Sequence, residues 1–307
     1  MTLGAAGWYR TAMDSREAAP RRGSVSPSFA ATAELPLRVS ARSHPVSALL
    51  WAAVASTLRR VQRGEGALLA VNLSLIAYEG LSRPRAFVET LVSVLTIGVM
   101  YVLNDLHDAP TDSNNPKKDR ALIGVYLEHR RACVALIVLT KVFTLALAWA
   151  TLSPRATVAL AGVLGANVAY SLVMKGLPVV DVVWCGIWGA LYAAIVTAEP
   201  AFWLLVGLMT AVCHLYQALD DRDADAANAI TTTAVRSPRL STGVLAALCV
   251  LLYAALRAPF GPAWAWTAFT PLLIHFTAPQ PRTGWLLTKG YFGVMWLTVL
   301  GIYRAAG

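Results

Sequence analysis

Charge is scarce in this sequence. Only 14% of its 307 residues are Asp, Glu, Lys or Arg, where a soluble domain carries about 25%, so a water-facing globule is excluded. Cysteine is scarce too. Cys133, Cys185, Cys213 and Cys249 stand singly inside apolar runs without a CxxC pair, which excludes a disulfide framework or zinc cage and leaves small packing residues. Short segments of alternating polarity are absent, which excludes a membrane barrel. The first 43 residues, rich in Ser, Ala, Pro and Arg, contain no apolar core of a secretory signal. Nor does the formal charge of +9 form a nucleic-acid patch. Nine of the 26 basic residues precede residue 64, and most of the others fall between apolar runs.

What is abundant is hydrophobic sequence, 57% of the chain. From Ala67 onward it is organised in runs of about 18–22 residues, each sufficient to cross a hydrocarbon core of about 30 Å as a helix. Nine spans are expected, near 66–82, 86–104, 130–151, 154–174, 178–197, 200–219, 239–258, 261–279 and 285–303; Asn72, Tyr78 and Glu79 interrupt the first. Residues 1–43 read as a flexible cytoplasmic tail and residues 44–307 as one transmembrane helical domain. Within that domain, His44 to Arg63 forms a short helix with a basic end, at the interface or opening the bundle. With the N-terminus in the cytoplasm, the inner loops carry eleven basic residues besides the nine N-terminal ones, against five outside. That is the positive-inside bias of a multi-pass inner-membrane protein.

Two acidic segments break the apolar pattern. The first is Tyr101-Val-Leu-Asn104-Asp105-Leu-His107-Asp108-Ala-Pro-Thr-Asp112, followed by Asn115-Pro116-Lys117-Lys118-Asp119-Arg120. On a continuous helix Asn104, Asp108 and Asp112 recur at i, i+4 on one face, while Pro110 offers a kink or a fresh helix start. The second is Tyr216-Gln-Ala-Leu-Asp220-Asp221-Arg222-Asp223-Ala-Asp225, where Asp221 and Asp225 share one face and Asp220 and Asp223 continue the Tyr216 stripe. Both segments follow even-numbered spans, so both emerge on the cytoplasmic side. Carboxylates crowded at a membrane face require a neutralising cation. Hard oxygen ligands suit Mg²⁺, which takes one or two carboxylates plus phosphate oxygens. Lys117, Lys118 and Arg120 stand ready for further phosphate charge. A single DxxxD is an ordinary solvated helix end; two on one face of a bundle point to a magnesium–diphosphate site.

These motifs resemble the UbiA superfamily of intramembrane prenyltransferases. The family's NDxxDxxxD is matched by Asn104, Asp105, Asp108 and Asp112, and its DxxxD by Asp221 and Asp225 ahead of the Thr-rich segment 230–235. Its YSxxxK segment is matched by Tyr170, Ser171 and Lys175. There are departures: Ala121 replaces a Pro, and Ala226, Ala227 and Ala229 stand where many members carry a Lys and a Gly. The Arg-Pro-aromatic opening of the family's first helix is missing.

The resemblance implies an all-α membrane bundle of nine helices around a central cavity, with Mg²⁺ as cofactor and a prenyl diphosphate as donor. It implies Asp105, Asp108, Asp221 and Asp225 as catalytic residues, and Asn104, Asp108, Asp112, Asp221 and Asp225 as metal ligands. Substrate contacts are expected from Asn104, Lys117, Lys118, Arg120, Tyr170, Lys175, His214 and Tyr216. The reaction implied is transfer of the isoprenyl group to a lipophilic, aromatic acceptor in a water-free cavity. Candidate lining aromatics are Trp184, Trp188, Tyr192, Trp203, Trp264, Trp266, Tyr291 and Trp296. Three alternatives stay open: a terpene cyclase on the same site, a polyprenyl-phosphate phosphoribosyltransferase, suggested by Asp181 after the YSxxxK segment, and a cation transporter. Lys141, inside the third span, needs a partner, and His275 reads as structural.

Overall fold

The structure, a computed structural model, describes residues 45–62, 65–113 and 118–306. The expected tail and Lys117 lie outside these. Among the described residues every regular element is a helix: α1 (Pro45–Gln62), α2 (Ala67–Tyr78), α3 (Arg83–Asp112), α4 (Arg120–Glu128), α5 (Arg130–Thr151), α6 (Pro154–Leu172), α7 (Val180–Val196), α8 (Pro200–Ala227), α9 (Thr233–Arg236), α10 (Pro238–Ala265), α11 (Thr270–Thr277) and α12 (Pro281–Ala306), with 3₁₀ turns at Met174–Gly176 and Trp266–Phe269.

Proline marks most of the starts. Pro154, Pro200 and Pro238 follow Ser153, Glu199 and Ser237, and Pro84 sits in the first turn of α3 behind Ser82. Proline there gives up an N–H that a helix end leaves unpaired anyway. Ser153 and Glu199 also accept from Ala156 N at 3.2 Å and Ala201 N at 3.3 Å, so these boundaries are written locally in the sequence.

By length and composition five helices can cross a membrane: Arg83–Asp112, Arg130–Thr151, Pro200–Ala227, Pro238–Arg257 and Pro281–Ala305. Helices α2 and α7 are shorter but apolar. The expected eighth span is broken, because Gly261 (φ 78°) interrupts α10 and is followed by the 3₁₀ turn and α11. All nine expected spans fall on helical stretches, but length and apolarity by themselves pick out only these five.

Large apolar side chains point outward as well as inward; Phe87, Leu139, Val158 and Val294 are exposed, and Trp149 is 77% exposed. A water-soluble bundle would hide such residues, whereas lipid solvates them. Two packed cores lie inside this shell. One joins α1, α3, α5, α6 and α7 through Ile97, Met100, Leu160 and Ile195. The other joins α2, α8, α10 and α12 through Leu75, Val212, Leu252 and Trp296. Helices α7 and α8 pack where Gly207 faces Gly186; a Cβ on Gly207 would come within 2.9 Å of the Gly186 carbonyl oxygen. Glycine is needed there for the helix axes to approach.

Two of the long helices carry the acidic segments at their C-terminal ends. The 30 residues of α3 span about 45 Å and the 28 of α8 about 42 Å at 1.5 Å per residue, against a core of about 30 Å. Both helices are therefore long enough to carry their C-terminal Asp residues beyond such a layer. α3 runs through Pro110 to Asp112, so the fresh helix start offered by the sequence does not occur there.

Candidate active site

The C-terminal ends of α3 and α8 face one cavity of about 790 Å³. Its rim carries Asn104, Asp105, Asp108 and Asp112 from α3 and Asp221 and Asp225 from α8. Tyr170, Lys175 and His214 also line it, as does Lys118. A continuous helix through Asp112 keeps Asn104, Asp108 and Asp112 in i, i+4 register.

Each acid of the first motif has its own partner. Lys175, in the 3₁₀ turn after α6, donates to Asp108 Oδ2 at 2.7 Å, and Lys118 pairs with Asp112 at 2.9 Å. Burial works against the Lys175 ammonium, yet the surrounding charges of Asp108, Asp225 and Asp112 outweigh it and hold its pKa above the ordinary lysine value. His107 Nδ1 lies 3.3 Å from Asp108 Oδ1. Asn104 Oδ1 accepts from Ser171 Oγ at 2.8 Å and Asn167 Nδ2 at 3.2 Å. Asp105 is held between Ser56 and Arg60 of α1. Arg60 also reaches Glu65 at 2.7 Å and lies 4.9 Å from the Tyr101 ring centre. On α8, Asp220 meets Arg282 at 3.7 Å and the exposed Asp223 meets its neighbour Arg222. Asp221 and Asp225 are the i, i+4 pair that faces the first motif across the cavity.

Two expected substrate contacts are not brought to this cavity. Arg120 is exposed at the first position of α4, whose N-cap Asp119 accepts from Ala121 N at 2.8 Å and Leu122 N at 3.1 Å. Tyr216 turns into the second core and donates to the Pro271 carbonyl at 2.5 Å. Among the candidate aromatics, Trp184, Trp188 and Trp296 line the cavity. Tyr192, Trp203 and Tyr291 spend their polar atoms on the carbonyls of Ser93, Thr197 and Thr267, while Trp264 and Trp266 are exposed. His275 meets Thr242 at 3.1 Å away from the lining, as a structural residue would. All four cysteines are free, but Cys185 and Cys213 line the cavity.

Asp181 is also away from the cavity. It is fully buried, accepts from Val182 N and Thr233 N, each at 2.9 Å, and is bonded to the Thr233 hydroxyl. Val179 N donates to Thr233 Oγ1 at 2.7 Å. Asp181 is thus the latch that ties the Thr-rich segment to the start of α7. The turn before that segment places Ala229 at φ 56°, a left-handed conformation that suits glycine and costs an L-residue about 1–2 kcal/mol. Ala229→Gly is expected to stabilise the protein by up to about 1 kcal/mol, net of the extra freedom glycine gains when unfolded. Thermal unfolding in detergent would show this as a small rise in midpoint.

Several lining residues escaped the sequence reading. Ser56, Arg59, Arg60 and Glu65 come from α1 and the turn after it; only the basic end of that helix was visible. Arg282, Trp285 and Lys289 line the cavity from α12, with the Arg282 guanidinium 4.3 Å and the Lys289 ammonium 3.4 Å from the Trp285 ring centre. Their i, i+3, i+7 spacing on one helix face was the available signal.

Among the described residues, no three acidic, His or Cys side chains converge closely enough to enclose an ion by themselves. That suits Mg²⁺, which rarely takes an all-protein cage and fills its octahedron with water and phosphate oxygens. The donor set on both helices is carboxylate and amide oxygen, the chemistry Mg²⁺ prefers.

Known proteins place the chain among relatives. Two structures of a UbiA homolog from Archaeoglobus fulgidus share its fold. One, bound to GPP and Mg²⁺, has a TM-score of 0.57 at 16% identity over 80% of this chain and 99% of that one. The other, bound to DMAPP and Mg²⁺, has a TM-score of 0.56 at 16% identity over 78% and 97%. No functionally curated protein matches. Residues 67–299, which include both acidic motifs, match the family described as UbiA prenyltransferase. The chain belongs to the UbiA prenyltransferase family.

Proposed function

We propose that this protein is a Mg²⁺-dependent intramembrane prenyltransferase that moves an isoprenyl group from a prenyl diphosphate to a lipophilic, aromatic acceptor. The observation that carries this reading is one cavity with acidic motifs at its rim and aromatic rings in its lining. An acid rim with an apolar interior is complementary to an amphiphile whose charged head needs a metal and whose tail needs lipid-like surroundings. The likeness to structures holding DMAPP or GPP with Mg²⁺ supports the same ligand class.

In this reading Asp108, Asp112, Asp221, Asp225 and Asn104 hold the metal. Bound there, magnesium would offset the negative charge of a departing diphosphate. Lys175 and Lys118 neutralise the phosphate charge that remains. Ser171, whose hydroxyl rotates, can release Asn104 Oδ1 while Asn167 keeps hold of it. Trp184, Trp188 and Trp296 exclude water from the allylic cation and present ring faces worth about 0.5–2 kcal/mol each to a cation. Tyr170 and His214, 3.3 Å apart, offer the acceptor a polar contact.

The protein is a multi-pass inner-membrane protein of nine spans in contact with membrane lipid. Its N-terminus and the rim of the site face the cytoplasm, a reading supported by the distribution of basic residues. The burial of Asp181 under Thr233 weighs against the phosphoribosyltransferase alternative, because that carboxylate is already used in the fold. Acids at helix ends rather than mid-helix weigh against a transporter. A terpene cyclase keeps some support from the alanines of the second loop, which leave that side of the site short of a phosphate-binding Lys.

Purified protein in detergent with Mg²⁺ and labelled geranyl, farnesyl or geranylgeranyl diphosphate is expected to release diphosphate and form product only when an aromatic acceptor is added. Cyclic hydrocarbon without acceptor would establish the cyclase instead. Failure to turn over any prenyl diphosphate under either condition would defeat both.

A further inference from the structure

Lys141 is the twelfth of the 22 residues of α5, close to the middle of a span, where an ammonium is expensive unless it faces the protein and finds oxygen. It finds two. Its Nζ donates to the Leu164 carbonyl and to Asn167 Oδ1, both at 3.2 Å and both on α6. Asn167 is buried, and its Nδ2 donates to Asn104 Oδ1 at 3.2 Å. Three helices are thus joined by one directed chain, from α5 through α6 to the first residue of the acidic motif on α3.

The direction of that chain is set by chemistry. An amide side chain has a donor end and an acceptor end of nearly equal shape, so packing alone does not decide which way it points. An ammonium can only donate. Lys141 therefore fixes the oxygen of Asn167 toward α5 and its nitrogen toward α3, and that nitrogen in turn requires the oxygen of Asn104. Without the ammonium, both amides could turn over together with little change in packing.

We infer that Lys141 is a positioning residue for the metal–diphosphate site, acting through Asn167 to hold the Asn104 amide in one orientation. This rests on the function proposed above, in that Asn104 is taken to contact the bound metal or phosphate. Groups that orient a metal ligand from behind typically change metal affinity by about 10–100-fold when removed.

The test is binding of Mn²⁺ with inorganic pyrophosphate to detergent-purified protein, followed by Mn²⁺ electron paramagnetic resonance, alongside Mg²⁺ dependence of geranyl diphosphate turnover. Lys141→Met keeps the length and removes the donor. It is expected to raise the Mn²⁺ dissociation constant about 10–100-fold, with Lys141→Arg recovering most of the loss. Asn167→Ala, which leaves Lys141 its Leu164 carbonyl, is expected to give the same loss and serves alone if Lys141→Met does not fold. The double variant is expected to lose no more than either single one, because both cut one chain. Wild-type affinity in Lys141→Met or Asn167→Ala, or losses that add in the double variant, would overturn the relay and leave the proposed function intact. Failure of the wild type to bind Mn²⁺ with pyrophosphate would overturn the proposed function and the relay with it.

Discussion

Asp108→Ala and Asp221→Ala are each expected to lower turnover of a prenyl diphosphate on the order of 10²–10³-fold or more, the scale set by losing one preorganised charge contact at a reacting group. The two residues come from different helices and different motifs, so equal severity would show that the motifs serve one site. Asp108 anchors Lys175 at 2.7 Å, so its loss also frees the cation proposed to meet the departing phosphate. Folding is expected to survive both changes, since both side chains sit at the rim of the cavity on helix ends rather than in either core. Diphosphate release and thermal midpoint, measured on the same preparations, separate loss of chemistry from loss of fold. Full turnover in both variants would show that the metal ligands lie elsewhere.

The second large effect concerns stability. Arg60 joins Asp105 and Glu65, with side chains only 16%, 17% and 12% exposed. Burial opposes its charge, but the two carboxylates outweigh that and raise its pKa above the ordinary arginine value. Arg60→Ala leaves two carboxylates without their cation, and breaking a buried pair in this way costs about 3–5 kcal/mol. Arg60→Lys is expected to recover only part of this, because a point charge lacks the planar fork that serves two acids at once. Denaturant unfolding of Arg60→Ala, Asp105→Ala and the double variant gives the coupling directly. A coupling below about 1 kcal/mol, the value of an exposed pair, would mean that Arg60 does not clamp α1 onto the motif. Asp105, expected as a catalytic residue, lines the cavity while engaged by Ser56 and Arg60.

Much of this was present in the sequence because it is local. Apolar runs, opening prolines and the i, i+4 spacing of Asn104, Asp108 and Asp112 are properties of neighbouring residues, and helices are made by neighbouring residues. The parity of spans even placed both motifs on one side. That α3 continues through Pro110 was left open by the sequence, because whether a helix tolerates a proline depends on what packs around it. Tyr216 and His214 illustrate the remaining limit. They lie two residues apart on α8, yet His214 lines the cavity and Tyr216 enters the core, a difference set by which neighbour each face of α8 meets.

The sequence by itself determined the membrane class, the helical elements, the two acid clusters and the resemblance that implies a ligand for them, since each depends on composition or short spacing. Only the tertiary structure decided the partners: Arg60 for Asp105, Lys175 for Asp108, Asp181 for Thr233, and Asn167 between Lys141 and Asn104. The members of each pair lie 26 to 67 residues apart, and such separations are closed by the packing of whole helices.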